Sequence, residues 1–168
     1  MSKISITPEP PDTADASALV GELEAYLAPQ YPPESQHGLS VEQLIKEKVA
    51  FFVLRSDGKP AGCGGIQCYG TEYAELKRFF VRPGFRNNGL GRSLLRYLEE
   101  VARAQGIFLV RLETGILQHD AMRLYENAGY RSIPAFGPYT PDPLSVFYEK
   151  QLWPGLAIPA TNYRQSRP

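Results

Sequence analysis

The chain has 168 residues, 43% hydrophobic and 21% charged, enough for one domain to bury a core without disulfide or metal support. Eighteen basic residues balance eighteen acidic ones, so no global field recruits nucleic acid or an anionic membrane, and a phosphate-bearing ligand needs a local device. Two cysteines and two distant histidines, His37 and His119, argue against a dedicated zinc site, and no metal is expected.

The opening MSKISITPEP lacks the apolar stretch of a signal peptide. No run reaches the roughly 20 apolar residues of a membrane span, so a cytoplasmic protein is expected. Lys3 to Thr7 alternates weakly and is read as an edge strand closed by Pro8, Pro10 and Pro11. From Asp15 to Ala28, the residues Leu19, Val20, Leu23 and Leu27 recur at helical spacing, and Pro29, Pro32 and Pro33 stop the helix. Ser40 is a plausible N-cap for a shorter helix reaching Lys48. Val49 to Leu54 reads as a buried strand, Ser56-Asp57-Gly58-Lys59 as a hairpin turn, and Pro60 to Tyr69 as the returning strand. Cys63 and Cys68 lie five residues apart in that strand, on opposite faces, which argues against their pairing.

Tyr73 to Val81 is a third strand, stopped by Pro83-Gly84. The period then changes. Leu90, Leu94, Leu95, Leu98, Val101 and Ala102 form one apolar helical stripe that Gly106 ends. Ile107 to Leu112 is read as a strand, Asp120 to Asn127 as a helix stopped by Ala128-Gly129, and Leu144 to Leu152 as a last strand. This order describes an α/β (α+β) chain with helices covering a mixed sheet. Residues 1–152 are read as a single domain and 153–168 as a surface tail.

The junction Val81-Arg82-Pro83-Gly84-Phe85-Arg86-Asn87-Asn88-Gly89-Leu90-Gly91-Arg92-Ser93 passes from a strand through a glycine-rich loop into an amphipathic helix. Unpaired backbone N–H groups at the positive end of a helix dipole make a ready anion site. Gly89 and Gly91 allow close approach, and Arg86 and Arg92 add charge. A type I′ turn at Asn88-Gly89 is the bland alternative, but the residues from Leu90 onward have helical rather than alternating periodicity.

Arg86-x-x-Gly89-x-Gly91 resembles the Arg/Gln-x-x-Gly-x-Gly/Ala signature of the GNAT acetyltransferases. Ala74 to Val81 is similar to that family's central strand. Ala121-Met122-Arg123-Leu124-Tyr125-Glu126-Asn127-Ala128-Gly129-Tyr130 is similar to its A-x-x-L-Y-E-x-x-G-F/Y segment. The resemblance covers about residues 49 to 152. It implies the GNAT fold, a mixed sheet of about six to seven strands with helices on both faces, and acetyl-CoA as acyl donor. It further implies that amides from Asn87, Asn88, Gly89, Leu90, Gly91 and Arg92 cradle the pyrophosphate, with Arg86 beside them. The backbone of Phe80 and Val81 would pair with the pantetheine arm. Gln118 stands where relatives often carry an asparagine, which leaves its contact with the donor open.

Transfer to an amine needs a neutral amine, a polarised carbonyl and a proton for the sulfur. Glu75 matches a position some relatives use as base; an ion pair with Lys77 or Arg78, or substrate anchoring, is the alternative. Tyr125 matches the tyrosine that in many relatives protonates the departing thiolate. A phenol near pKa 10 beside a thiol near 8.5 is read there as a ready donor, against the alternative of a satisfied core tyrosine. A cysteine nucleophile is disfavoured because neither Cys63 nor Cys68 has a base nearby. His119 is read as an exposed helix-start residue. The loops 29–38, with Tyr31, Glu34 and His37, and 133–143, rich in Pro, Tyr and Phe, should border the acceptor. The expected function is acetyl transfer to a small-molecule amine by a monomer or homodimer. A protein N-terminal or lysine acetyltransferase and a non-catalytic acyl-CoA-binding module are the alternatives.

Overall fold

The computed structural model describes residues 1–153, so apart from Trp153 the reading of 153–168 as a tail lies outside the described residues. The strands are β1 (Ile4–Pro8), β2 (Ala50–Ser56), β3 (Lys59–Tyr69), β4 (Tyr73–Val81), β5 (Leu109–Gly115), β6 (Arg131–Ile133) and β7 (Ser145–Gln151). They form one sheet in the order β1-β2-β3-β4-β5-β7-β6. Among the described residues only the β4–β5 pairing is parallel. Parallel neighbours need a long crossover, and α3 (Leu90–Ala104) supplies it. Asp57 and Gly58, at φ of 49° and 79°, make the left-handed turn between β2 and β3.

β2 reads as continuously apolar because both its faces are covered. Phe51 and Val53 pack with residues of α1 (Ala14–Leu27) and α2 (Val41–Lys46). Phe52 and Leu54 pack with α3 and with Tyr125 of α4 (His119–Asn127). Ser40 caps α2 in a reciprocal box with Gln43, as its sequence position suggests. The glycines of β3 are clearances: a Cβ on Gly62 would stand 2.6 Å from the Phe80 carbonyl oxygen, and one on Gly64 2.9 Å from the Leu98 side chain.

The largest shift from expectation is at β5. The strand expected at 107–112 lies at Leu109–Gly115. The Ile107 amide still donates to the Ala102 carbonyl and so belongs to the end of α3. The polar residues Glu113 and Thr114 are in the strand because they pair with Phe147 and Val146. β6 has no counterpart among the expected elements, since three residues carry no period. Among the described residues the sheet thus has seven strands, at the top of the expected range.

Two irregularities open the centre of the sheet. Between β3 and β4 the register moves from Cys63↔Phe80 to Gly65↔Lys77, so Arg78 and Phe79 oppose Gly64 alone, and Arg78 adopts φ 51°. Between β4 and β5 the paired residues are Ala74↔Val110 and Glu75↔Arg111, after which the strands diverge. Among the described residues no helix is long and apolar enough to cross a membrane.

Candidate active site

The loop after β4 opens a groove of about 520 Å³ lined by Phe80, Val81, Arg86, Asn87, Gly89, Leu90, Gly91, Arg92 and Gln118. Asn88 is the expected cradle residue that does not line it. Left-handed turns at Asn87 (φ 65°) and Gly89 (φ 75°) leave Asn88 exposed outside the groove. Gly89 starts α3 without a side-chain cap, so the first amides of a 15-residue helix are available to an anion. A Cβ on Gly91 would come within 3.2 Å of the Leu124 side chain. Arg86 also braces the loop: its Nε donates to the Val81 carbonyl at 2.9 Å, and its guanidinium lies 5.5 Å from the Tyr26 ring centroid. His119 lines the groove as the exposed first residue of α4. The diverging edge of β4, the uncapped helix start and the glycine clearance together fit an extended, phosphate-bearing thioester such as acetyl-CoA.

A second cavity, of about 310 Å³, shares Leu23, Phe79, Gln118 and Ala121 with the groove, so the two spaces meet. Tyr31 and His37 from the first expected loop and Tyr139 from the second line it, whereas Glu34 does not. His37 Nε2 lies 3.1 Å from Asp142 Oδ2 and clasps the two loops together. The amide of Leu144 donates to Asp142 and, followed by His37, holds that carboxyl below its ordinary pKa. The Tyr31 hydroxyl accepts from the Leu117 amide (3.0 Å) and from Gln118 Nε2 (3.1 Å), tying the first loop to the start of α4.

Glu75 projects into this cavity and is 1% exposed. Its Oε2 accepts from the Tyr139 hydroxyl at 2.7 Å and pairs with Lys77, which also donates to the Tyr139 oxygen at 3.2 Å. Burial, then the adjacent Glu75 carboxylate, raise the Tyr139 pKa far above a phenol's usual value. The ion pair with Lys77 foreseen as the structural alternative is therefore present, in the middle of the sheet rather than at an edge. Arg78 is not part of it. Glu75 Oε1 is buried and has no hydrogen-bond partner among the described residues. An unpaired buried carboxylate oxygen is expensive, and a cation that reached it would relieve that cost.

Tyr125 is 4% exposed, its ring packed against Phe79, Tyr130 and Tyr148. Its hydroxyl makes no hydrogen bond among the described residues, unlike a satisfied core tyrosine, and the residue lines the cavity. Burial, then the charge of Glu113, push its pKa up. The ready-donor expectation is corrected on this point. A phenol above its usual 10 holds its proton more firmly than a thiol near 8.5, so complete transfer to a free thiolate is uphill. The hydroxyl is suited instead to hydrogen-bond sulfur as negative charge builds there.

Glu113 is a site residue that the sequence pattern does not announce. It lines the cavity from β5 and accepts from the Ser145 hydroxyl at 2.9 Å. Burial raises its carboxyl pKa, partly offset by that hydroxyl. Extending the expected strand past Leu112 would have put it on the face of Leu109 and Arg111, opposite the buried Val110 and Leu112. The cysteines are free; burial raises the Cys63 pKa to about 12, Cys68 is exposed, and neither lines either cavity.

Residues 19–130 match the model of the Acetyltransferase (GNAT) family. A relative from Azospirillum brasilense, named IAA acetyltransferase, is 42% identical over 154 residues, covering 90% of this chain and 100% of that protein. A crystal structure from Klebsiella pneumoniae, assigned as an acyl-CoA N-acyltransferase, superposes with a TM-score of 0.75 at 38% identity, covering 89% of this chain and 98% of that one. A GNAT family acetyltransferase from Elizabethkingia anophelis with acetyl-CoA bound shares the fold at 18% identity, with a TM-score of 0.67 and coverage of 89% and 98%.

Proposed function

This chain belongs to the GNAT family and is an acetyl-CoA-dependent N-acyltransferase, and from that premise we propose that its acceptor is the primary amine of a small molecule. The observation that carries this reading is the acceptor cavity itself. It measures about 310 Å³, within the range of small-molecule sites, and the His37–Asp142 clasp ties together the two loops that border it. A protein chain threading into the site would meet that clasp. Residues 1–152 are read as the catalytic domain.

Acetyl-CoA brings the thioester carbonyl and the leaving thiol. The protein's part is to hold and to move protons. Amides of Asn87 and of Gly89 to Arg92 would cradle the pyrophosphate, with Arg86 and Arg92 adding charge, and the open edge of β4 at Phe80 and Val81 would receive the pantetheine arm. Gln118 lines both groove and cavity and would stand where the two substrates meet. Glu75 Oε1 would accept the amine's proton, since an ammonium near pKa 10.4 is mostly unreactive at neutral pH. The Tyr125 hydroxyl would donate toward sulfur. Holding both partners in adjoining spaces removes much of the entropic barrier to their reaction.

A panel of small amines assayed by free-thiol release tests this reading. Turnover of one or more small amines is the expected result. Labelled acetyl-CoA that marks only proteins in a cell extract would replace it with a protein acetyltransferase. Binding without turnover on any acceptor would leave an acyl-CoA-binding module.

A further inference from the structure

The acceptor cavity holds a second charged group whose placement the amine alone does not explain. Arg78 stands at the bulge of β4 in a left-handed conformation, φ 51°, which a residue with a Cβ adopts only at an energetic cost. The bulge turns its side chain into the cavity wall, where it is 5% exposed. Gly38 makes the space, since a Cβ there would run into the guanidinium. Arg78 Nε donates to the Leu39 carbonyl at 2.7 Å, which fixes the plane of the group. Nη2 reaches Glu24 at 3.5 Å, a long pair with a carboxylate that is 58% exposed. Nη1 has no acceptor among the described residues.

Lys77 is engaged by Glu75 and Tyr139, and the His37 ring is held by Asp142. Arg78 is thus a buried, oriented guanidinium with donors to spare, lining the same cavity as Glu75. A planar fork of N–H donors matches a carboxylate in two parallel hydrogen bonds. We propose that the acceptor carries a carboxylate besides its amine, an amino-acid-like zwitterion, and that Arg78 is the residue that recognises it. The amine lies at the Glu75 end and the carboxylate at the Arg78 end. This rests on the small-amine reading above and narrows it.

Matched acceptors test it: amino acids, from α-amino to ω-amino compounds, each compared with its own primary amide, which retains the amine and removes the negative charge. At least one acid should exceed its amide in kcat/KM by about 10-fold to 100-fold, the size expected of charge-assisted hydrogen bonds to one group. Arg78→Gln should bring that ratio toward one, mainly through the acceptor's KM. Arg78→Lys, which retains the charge without the fork, should fall between. Amides turned over as well as acids by the unsubstituted protein would overturn the inference while leaving the small-amine reading intact, and this result needs no variant to fold. A ratio unchanged in a folded Arg78→Gln would also overturn it. If small amines fail and only proteins are labelled, the broader reading fails with it.

Discussion

Glu75 and Tyr125 meet the acceptor cavity with one unpaired oxygen each, and single-atom substitutions separate their roles. Glu75→Gln removes the proton-accepting charge and retains the shape. If Oε1 is the base, turnover should fall by about 10² to 10⁴, and the loss should shrink as pH rises and the amine deprotonates unaided. A pH-rate profile of variant and parent decides this; a loss confined to the acceptor's KM would mark Glu75 as an anchor. The substitution also leaves Lys77 without its charged partner, so the melting temperature should be measured alongside. Tyr125→Phe is cleaner, because it deletes an oxygen that no described residue hydrogen-bonds. Stability should move little, because no hydrogen bond is lost and the ring keeps its packing. The value of kcat should fall, and fall less for a thioester whose thiol leaves more easily, since a less basic sulfur needs less help. Normal turnover with both thioesters would take the hydroxyl out of the mechanism.

At the level of elements, the passage from β4 to α3 is the part most easily read from sequence, because its causes are local. A proline-glycine stop, two glycines and a 3.6-residue stripe lie within some twenty positions, and the strand Tyr73–Val81 agrees with its expected ends. Gly89→Val and Gly91→Val should both abolish coenzyme A binding, for different reasons that calorimetry and melting curves can tell apart. At Gly89 the backbone sits at φ 75° with open space around it, so the variant should also lose roughly 1–3 kcal/mol to backbone strain. At Gly91 the conformation is helical, and the new side chain instead crowds Leu124 and the approach to the helix start. Normal binding by both would move the cradle elsewhere. The acceptor side is far less legible, because its causes are tertiary. No local pattern announces the Arg78 bulge, which arises from pairing against Gly64 in another strand. Glu113 lies beyond the expected strand end by a single residue, since polar residues at a strand terminus look like loop until β7 is seen to pair with them. The His37–Asp142 clasp joins residues 105 positions apart.

For the whole molecule, charge pairs and the donor substrate set how stability responds to conditions. Burial alone would raise the Glu149 pKa, but hydrogen bonds from Arg131 (2.7 Å) and Arg111 (3.1 Å) outweigh it and hold the carboxyl below its ordinary range. A carboxyl depressed in the folded state adds stability above its unfolded value, near 4.3, and that contribution is lost as pH falls through the lower folded value. The seam of β5, β7 and β6 should therefore weaken below about pH 4. Urea midpoints measured from pH 7 to pH 3 should show this fall, and Glu149→Gln should flatten it. Acetyl-CoA acts on the same equilibrium from the other side. Its groove is built jointly from β4, α3 and α4, elements brought together only by folding, so the unfolded chain has no equivalent site. Binding to the folded state alone stabilises by about 2.7 kcal/mol at a hundredfold excess over the dissociation constant. At roughly 2–4 °C per kcal/mol for a chain of this size, the melting temperature should rise by about 5–10 °C. Acetate, which lacks the phosphates, and NAD, which lacks the pantetheine arm, should give no comparable rise, and Gly91→Val should remove the response. A melting temperature indifferent to millimolar acetyl-CoA would mean that this groove does not hold the donor.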